Sequence, residues 1–374
     1  MRFISLQENL KKGLNIVGHV SSKNINLPIL NNILIKAENG NIELVSTNLE
    51  IGITYQVRGK IEVEGQFTVD SKLISEYVNL LSSGEKVKIE EKDNELKVEC
   101  GNYKTKIKGE VAKEFPLIPT LPKQGYYSCK SSELKKALNS VSFAVSNNEN
   151  RVELSGVLFA FEDNKLSLVA TDSYRLAEKE IKINSQGMEG EQKVIVPGKT
   201  VQELMRVLNN LEAGELINDL ELKFYLSENQ ILFVVDSVEL ISRLINGHYP
   251  DYQQIIPVKS QTNVLVEKSE IIRAVKAAAL FSKTGINDVT LLFLKNKIMV
   301  SAFSGASGES QIELEAGISG DDNEITINYR YLLDGLNNIE GEMIKLDIVN
   351  NSTPCVLKSE KGDDYIYIVM PIRQ

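Results

Sequence analysis

Apolar residues recur along this chain in two rhythms. Leu6, Leu10, Leu14 and Val17 are spaced to share one face of a helix, and so are Leu134, Leu138, Val141 and Val145. Similar patterns predict helices over 6–22, 71–82, 131–146, 199–211, 268–283 and 329–339, with Gly84 just beyond the second. Short apolar runs between them read as strands. Examples are Ile29–Lys36 and Ile42–Val45 around Asn39-Gly40, and Val87–Glu90 and Leu96–Glu99 around Lys92-Asp93-Asn94. Val157–Phe161 and Leu166–Ala170 flank Asp163-Asn164, and Phe224–Leu226 and Ile231–Val235 flank Glu228-Asn229. Val289–Leu294, Lys297–Ala302, Lys345–Val349 and Tyr365–Met370 complete the set.

The pattern repeats. Leu10-Lys11-Lys12-Gly13-Leu14-Asn15 returns as Leu134-Lys135-Lys136-Ala137-Leu138-Asn139, and more loosely as Ile271-Ile272-Arg273-Ala274-Val275-Lys276. A second phrase, centred on Val69, Val196 and Ile327, leads each time into a helix. A period of about 125 residues is the size of a domain, not of a solenoid unit. The expected fold is therefore α+β: three tandem copies of a two-helix, antiparallel-sheet domain, over 1–125, 126–256 and 257–374. Proline-bearing stretches near 118–125 and 255–260 would link them.

Net charge is −9, which by itself argues against a nucleic-acid partner. The distribution changes that. The six helical segments hold twelve basic and six acidic residues, so the remainder of the chain carries −15. Two explanations stand: lysine is a good helix former on any surface, or the helices make a phosphate-facing surface that binds without reading sequence. Aromatic and basic residues do not interleave as they do in single-strand binders, so duplex is the better candidate. If such helices packed ~8–10 Å apart line a ring, six leave a hole of only ~9 Å and twelve leave ~28 Å, so enclosing duplex needs a second copy of the chain.

Catalytic chemistry is sparse. Only His19 and His248 are present, and no HxH or HExxH spacing occurs. Pro197-Gly198-Lys199-Thr200 ends like a phosphate loop, but Lys193 stands where its first glycine is required. Gly305-Ala306-Ser307-Gly308-Glu309 has Glu309 in place of the last glycine of a nucleophile elbow. Asp321-Asp322 and Asp363-Asp364 read as solvated turns. Cys100, Cys129 and Cys355 are far apart and odd in number, which fits reduced thiols in a cytoplasmic protein. No apolar run is long enough for a membrane span, and the first residues lack a signal-peptide core. The expectation is a non-enzyme with no metal or other cofactor. The C-terminus differs: Ile366 to Ile372 is apolar almost to the end, where chains are usually polar, and Met370-Pro371-Ile372 would suit the wall of an adaptable groove.

Leu27-Pro28-Ile29-Leu30, Ser46-Thr47-Asn48-Leu49-Glu50, Ala170–Ala177, Gly247-His248-Tyr249-Pro250-Asp251-Tyr252 and Val369-Met370-Pro371-Ile372-Arg373 follow one another as they do in a known family. Over its full length the chain resembles bacterial DNA polymerase III beta subunits, the replicative sliding clamps. The resemblance implies a ring-shaped head-to-tail homodimer whose helices line the channel. It implies sequence-independent encirclement of double-stranded DNA and tethering of polymerase subunits, clamp loader and repair proteins through short linear peptides. The main alternative is a tandem-repeat scaffold that does not encircle DNA; a repeated-domain hydrolase or transferase would need a polar catalytic cluster, and the sequence offers none.

By the same resemblance, the peptide pocket would comprise Leu154, Thr171, Ser173, Tyr174, Arg175, Leu176, Pro250, Ile255, Pro354, Ile368, Met370, Pro371, Ile372 and Arg373. Many family members have Gly-His where Ser173-Tyr174 stand, and some have a basic residue where Gln254 stands. The DNA-facing set would be Lys11, Lys12, Lys23, Lys72, Lys135, Lys136, Lys199, Arg206, Arg273, Lys276 and Arg330, with Lys23 standing in for a basic residue at Asn24. Leu280 and Phe281 on one side, and Ile107 on the other, are candidates for the dimer interface or for their own domain's core.

Overall fold

The computed structural model describes residues 1–21, 27–148, 150–188, 190–212 and 219–372. Lys23, Asn24 and Arg373 lie outside the described residues. The helices are α1 (Gln7–Val17), α2 (Ser71–Asn79), α3 (Ser131–Ser142), α4 (Gly198–Glu212), α5 (Lys268–Ala279) and α6 (Tyr329–Asn338). All six match predicted helical segments, but most stop earlier than the periodicity suggests. After α3 and α5 the apolar spacing continues through single tight turns, such as Ala144 N–H to Val141 O and Phe281 N–H to Ala278 O. These preserve the apolar face without a further α-helical turn.

The repeated phrase serves one purpose in all three places. Leu10 and Leu14, Leu134 and Leu138, and Ile271 and Val275 are each at most 1% exposed. Every strand pairing among the described residues is antiparallel, giving the α+β architecture expected. Asn39 and Gly40 both have positive φ, as do Asp93 and Asn94. These are the left-handed pairs that tight hairpins require.

The chain forms two compact units. The first comprises Met1–Glu133, Ile183–Glu189 and Gln202–Leu244, the second Leu134–Lys182, Gly190–Val201 and Ile245–Gln374. The division runs through the central repeat because its strands join two different sheets. Strand Val238–Arg243 pairs with Ile51–Val57 inside a fourteen-stranded sheet of the first unit. Strand Arg175–Lys182 pairs with Gly362–Val369 inside a nine-stranded sheet of the second, which also holds a separate four-stranded sheet.

One predicted strand begins differently. Pro28 starts a short 3-10 turn, Pro28–Asn31, so the strand expected from Ile29 runs over Asn32–Glu38. Some strands are not expected from the sequence, among them Gly59–Val63 and Tyr103–Val111, whose residues are mostly solvated. In the second unit Gly335 of α6 lies against Tyr367, where a Cβ would come within 2.2 Å of the ring. The Tyr367 hydroxyl donates to Tyr331 O at 2.8 Å, fastening α6 to the last strand. No helix among the described residues is long and apolar enough to cross a membrane.

Candidate functional site

Five residues of the expected pocket, Thr171 and Ser173 to Leu176, lie in or beside one turn between strands Lys165–Thr171 and Arg175–Lys182. Thr171 Oγ1 donates to Arg175 O at 2.6 Å and accepts from Ser173 N–H at 3.2 Å. Asp172 Oδ1 accepts from the N–H groups of Tyr174 and Arg175, each at 3.0 Å. Ser173 takes the left-handed conformation with φ 79°. An aspartate whose carboxylate accepts backbone N–H groups two and three residues on holds such a turn rigid. Tyr174 is left 62% exposed at the tip.

The first repeat builds the same turn 124 residues earlier. Thr47 Oγ1 donates to Ile51 O at 2.9 Å, and Asn48 Oδ1 accepts from Glu50 and Ile51 N–H at 3.0 and 2.8 Å. Leu49 occupies the left-handed position with φ 75°.

Arg175 fixes the second turn to its surroundings. Its Nε donates to Asp172 Oδ2 at 3.0 Å, its Nη2 to Phe143 O at 2.9 Å, and its Nη1 to Asp334 of α6. The guanidinium lies 4.6 Å from the Tyr331 ring centroid and 5.4 Å from that of Phe143. Burial pulls its pKa down, and the Tyr367, Asp334 and Asp172 groups more than reverse this, so the net shift is upward. Arg175 is thus a charged staple between strand and helix. Asp334, Phe143 and Tyr331 were not singled out from sequence, and Asp172 only as part of the Ala170–Ala177 motif. Asp334 lies 159 residues away, and no local pattern pairs it with Arg175.

The C-terminal segment closes beside this turn. Arg175 pairs with Val369 and Leu176 with Ile368, and Met370 N–H donates to Tyr174 O at 2.8 Å. Pro371 bridges to Ile327, and Ile372 N–H reaches Thr326 O at 2.7 Å. Leu176 and Ile368 belong to a buried cluster with Leu158, Val169, Ile195, Tyr252 and Val356, against which Tyr249 and Ile256 pack. Pro250 and Ile255 flank Tyr252, and Pro354 precedes the strand holding Val356. Leu154, 1% exposed, ends a short turn leading into the strand of Leu158. Met370 and Ile372 are half-buried and Ile255 is 45% exposed, so the turn, the C-terminal segment and the 250–256 segment offer apolar surface above the shared cluster.

Glu178 is an unexpected member of this region. It is 8% exposed, and its Oε1 accepts from the Tyr252 hydroxyl at 2.6 Å. Burial raises its pKa, the Tyr252 bond opposes this, Glu180 adds to the rise and Lys165 subtracts.

The basic candidates divide by environment. In the first unit Lys11 and Lys72 are exposed and Lys12 is partly exposed, with Lys72 3.7 Å from Glu76. Arg206 behaves differently. Its Nη1 donates to Asn15 O at 2.9 Å, its Nη2 to Ile16 O, and its Nε to Glu203 at 3.0 Å. It caps the carbonyl end of α1, a structural use the charge count could not reveal. Glu203, buried, also meets His19 Nδ1 at 2.8 Å. In the second unit Lys136, Lys199, Arg273, Lys276 and Arg330 are exposed and Lys135 is partly so, with Arg273 bonded to Glu270 at 2.7 Å.

The interface candidates also separate. Leu280 is 77% exposed and Phe281 is half-buried, whereas Ile107 is 4% exposed and belongs to the core of its own unit. No group of metal-ligating side chains occurs among the described residues.

Comparison with known proteins covers the whole chain. Three family models match in order: DNA polymerase III beta subunit, N-terminal domain, over residues 1–119, central domain over 128–251, and C-terminal domain over 253–373. The beta sliding clamp of Staphylococcus epidermidis is 27% identical over 385 residues, spanning 100% of this chain and 99% of the relative. A crystal structure of the DNA polymerase III subunit beta from Pseudomonas aeruginosa matches with a TM-score of 0.93 at 26% identity, covering 100% of both chains. A sliding clamp from Bartonella birtlesii bound to griselimycin matches with a TM-score of 0.89 at 29% identity, again over 100% of both chains.

Proposed function

The chain belongs to the DNA polymerase III beta subunit family, and from that premise we propose how it works as a DNA sliding clamp. Two copies form a head-to-tail ring around duplex DNA, and the ring tethers polymerase and other DNA-processing proteins at their substrate. It performs no chemistry; it raises the local concentration of its clients by topology. The observation that carries this is the ordered, end-to-end match of all three clamp domains. The domains are assigned to 1–125, 126–256 and 257–374, and the workplace is the cytoplasm. A scaffold without DNA contact would not call for this family.

Exposed Lys11, Lys136, Lys199 and Lys276 support a weakly held, sequence-blind contact with phosphates. Clients dock on the apolar surface made by Tyr174, Met370, Ile372, Pro250 and Ile255, with buried Pro371 anchoring the C-terminal segment and Arg175 stiffening the rim.

For the dimer seam, the open strand edges are informative. Among the described residues, 103–108 of strand Tyr103–Val111 pair on one side only, and strand Gly308–Glu315 pairs only with Lys297–Ser304. The first exposes Lys104, Lys106 and Lys108, the second Glu309, Glu313 and Glu315. Ile107 and Leu314 point the opposite way, into their cores. Joining these edges between protomers places the lysines and glutamates on one face of a continuous sheet. Leu280 and Phe303 in one protomer, 77% and 60% exposed, would then be covered by the face bearing Leu80 and Tyr103 in its partner, 78% and 54% exposed.

The test is retention on DNA. Loaded onto nicked circular duplex, the protein should stay; linearising the circle should release it by sliding. Equal retention on both forms would end the encirclement reading.

A further inference from the structure

The peptide-docking reading leaves one bond without a purpose: the buried contact between Glu178 and Tyr252. A carboxylate in an apolar cluster is costly unless well bonded, and the fold itself does not demand one here. The first repeat supplies the control. Strand positions Val45 and Thr54 pair as Val169 and Glu178 do, so Thr54 is the counterpart of Glu178. Counting from Phe115-Pro116 and Tyr249-Pro250, Ile118 is the counterpart of Tyr252. That copy closes its sheet with Ile118 packed against two apolar clusters, without a carboxylate–phenol pair. Of these two copies, only the one beside the C-terminal segment carries the pair.

The geometry also gives the bond a target. Tyr252 lies in a short turn, Tyr252–Ile255, between Pro250 and Ile255. Its ring packs in the cluster that contains Leu176 and Ile368. Its hydroxyl reaches Glu178 on the strand that also carries Arg175 and Leu176. One hydrogen bond therefore connects the 250–256 wall to the strand that supplies the floor. Tyr249 adds a weaker tie, its hydroxyl donating to Val169 O at 3.3 Å.

We propose that Glu178 and Tyr252 are positioning residues for client binding: their buried hydrogen bond sets the spacing between the Pro250–Ile255 wall and the Leu176–Ile368 floor, and with it the apolar anchor that the groove accepts. The inference rests on the peptide-docking reading. Neither side chain needs to touch the ligand.

Griselimycin, which the Bartonella birtlesii relative binds, serves as the probe, titrated against the full chain well below its melting temperature. Tyr252→Phe removes one hydroxyl and should weaken binding by about tenfold, the scale of one buried hydrogen bond. Glu178→Gln keeps an acceptor for the phenol and should retain most of the affinity. Glu178→Val should lose as much as Tyr252→Phe, and the double variant should lose no more than either alone. Full affinity in a folded Tyr252→Phe protein, or losses that simply add in the double variant, would overturn the proposal while leaving the groove intact. Failure of the unmodified chain to bind griselimycin would instead remove the groove reading, and this inference with it.

Discussion

The backbone N–H of Met370 donates to the carbonyl oxygen of Tyr174 at 2.8 Å. The same bond occurs in the first unit, where Arg243 N–H donates to Glu50 O at 3.0 Å. The repeat thus reproduces a strand leaving its sheet beside the tip of a turn. What differs is the side chain delivered: an exposed Arg243 in one copy, a half-buried Met370 followed by Pro371 and Ile372 in the other.

Deleting Met370–Gln374 should therefore abolish griselimycin binding, with affinity falling at least about a hundredfold, as expected when a well-packed apolar anchor site is removed. The strand Gly362–Val369 remains, so light scattering should still report a dimer. Unchanged affinity after the deletion would show that the C-terminal segment is not part of the docking surface.

Arg206 and the exposed lysines should fail in different ways. Arg206→Ala leaves Glu203 buried and the Asn15 and Ile16 carbonyls uncapped, and should lower stability by roughly 1–3 kcal/mol in urea unfolding. Lys136→Glu or Lys199→Glu should leave unfolding nearly unchanged. Each should instead flatten the salt dependence of duplex binding by about one in the log–log slope if the lysine meets a phosphate. An Arg206→Ala protein of normal stability but altered salt slope would reverse the assignment.

That contrast shows where the sequence was legible. The six helices could be read because each has one apolar face, and the thrice-repeated leucine, isoleucine or valine positions are buried as a repeat predicts. Strands such as Gly59–Val63 could not, although Lys60-Ile61-Glu62-Val63 alternates, because the run is short and its residues stay mostly solvated, leaving no buried face to mark it. The turn Thr171–Leu176 stood out as a motif. Its partners Asp334, Tyr331 and Phe143 did not, since they meet Arg175 only through folding. Helix charge likewise picked out basic residues but could not separate Arg206, which caps α1, from lysines that face water.

At the proposed dimer seam, Leu280→Asp should produce a monomer at micromolar concentration by light scattering, because a charge replaces exposed apolar surface assigned to the partner contact. Reversing Lys104, Lys106 and Lys108 to glutamate together should weaken the dimer more gently, since each cross-strand charge pair is worth roughly 0.2–1 kcal/mol. Combining that variant with Glu309, Glu313 and Glu315 changed to lysine should restore it. Absence of restoration would separate the two edges.

Glu178 gives stability a pH dependence whose sign follows from its burial. The folded carboxyl has a raised pKa, chiefly from desolvation, while the unfolded one titrates in the ordinary carboxylate range. Between those two values the folded state holds the proton more often than the unfolded state. Stability from this group is therefore lost as pH rises from the ordinary carboxylate value through the raised one, and is level on either side. Tyr252, Glu180 and Lys165 face Glu178 and share in setting the upper edge of that window. Glu178→Gln removes the titration, so its urea-unfolding free energy should flatten across the window where the unmodified chain declines. Two profiles running parallel there would mean that Glu178 is not the buried proton holder beneath the groove.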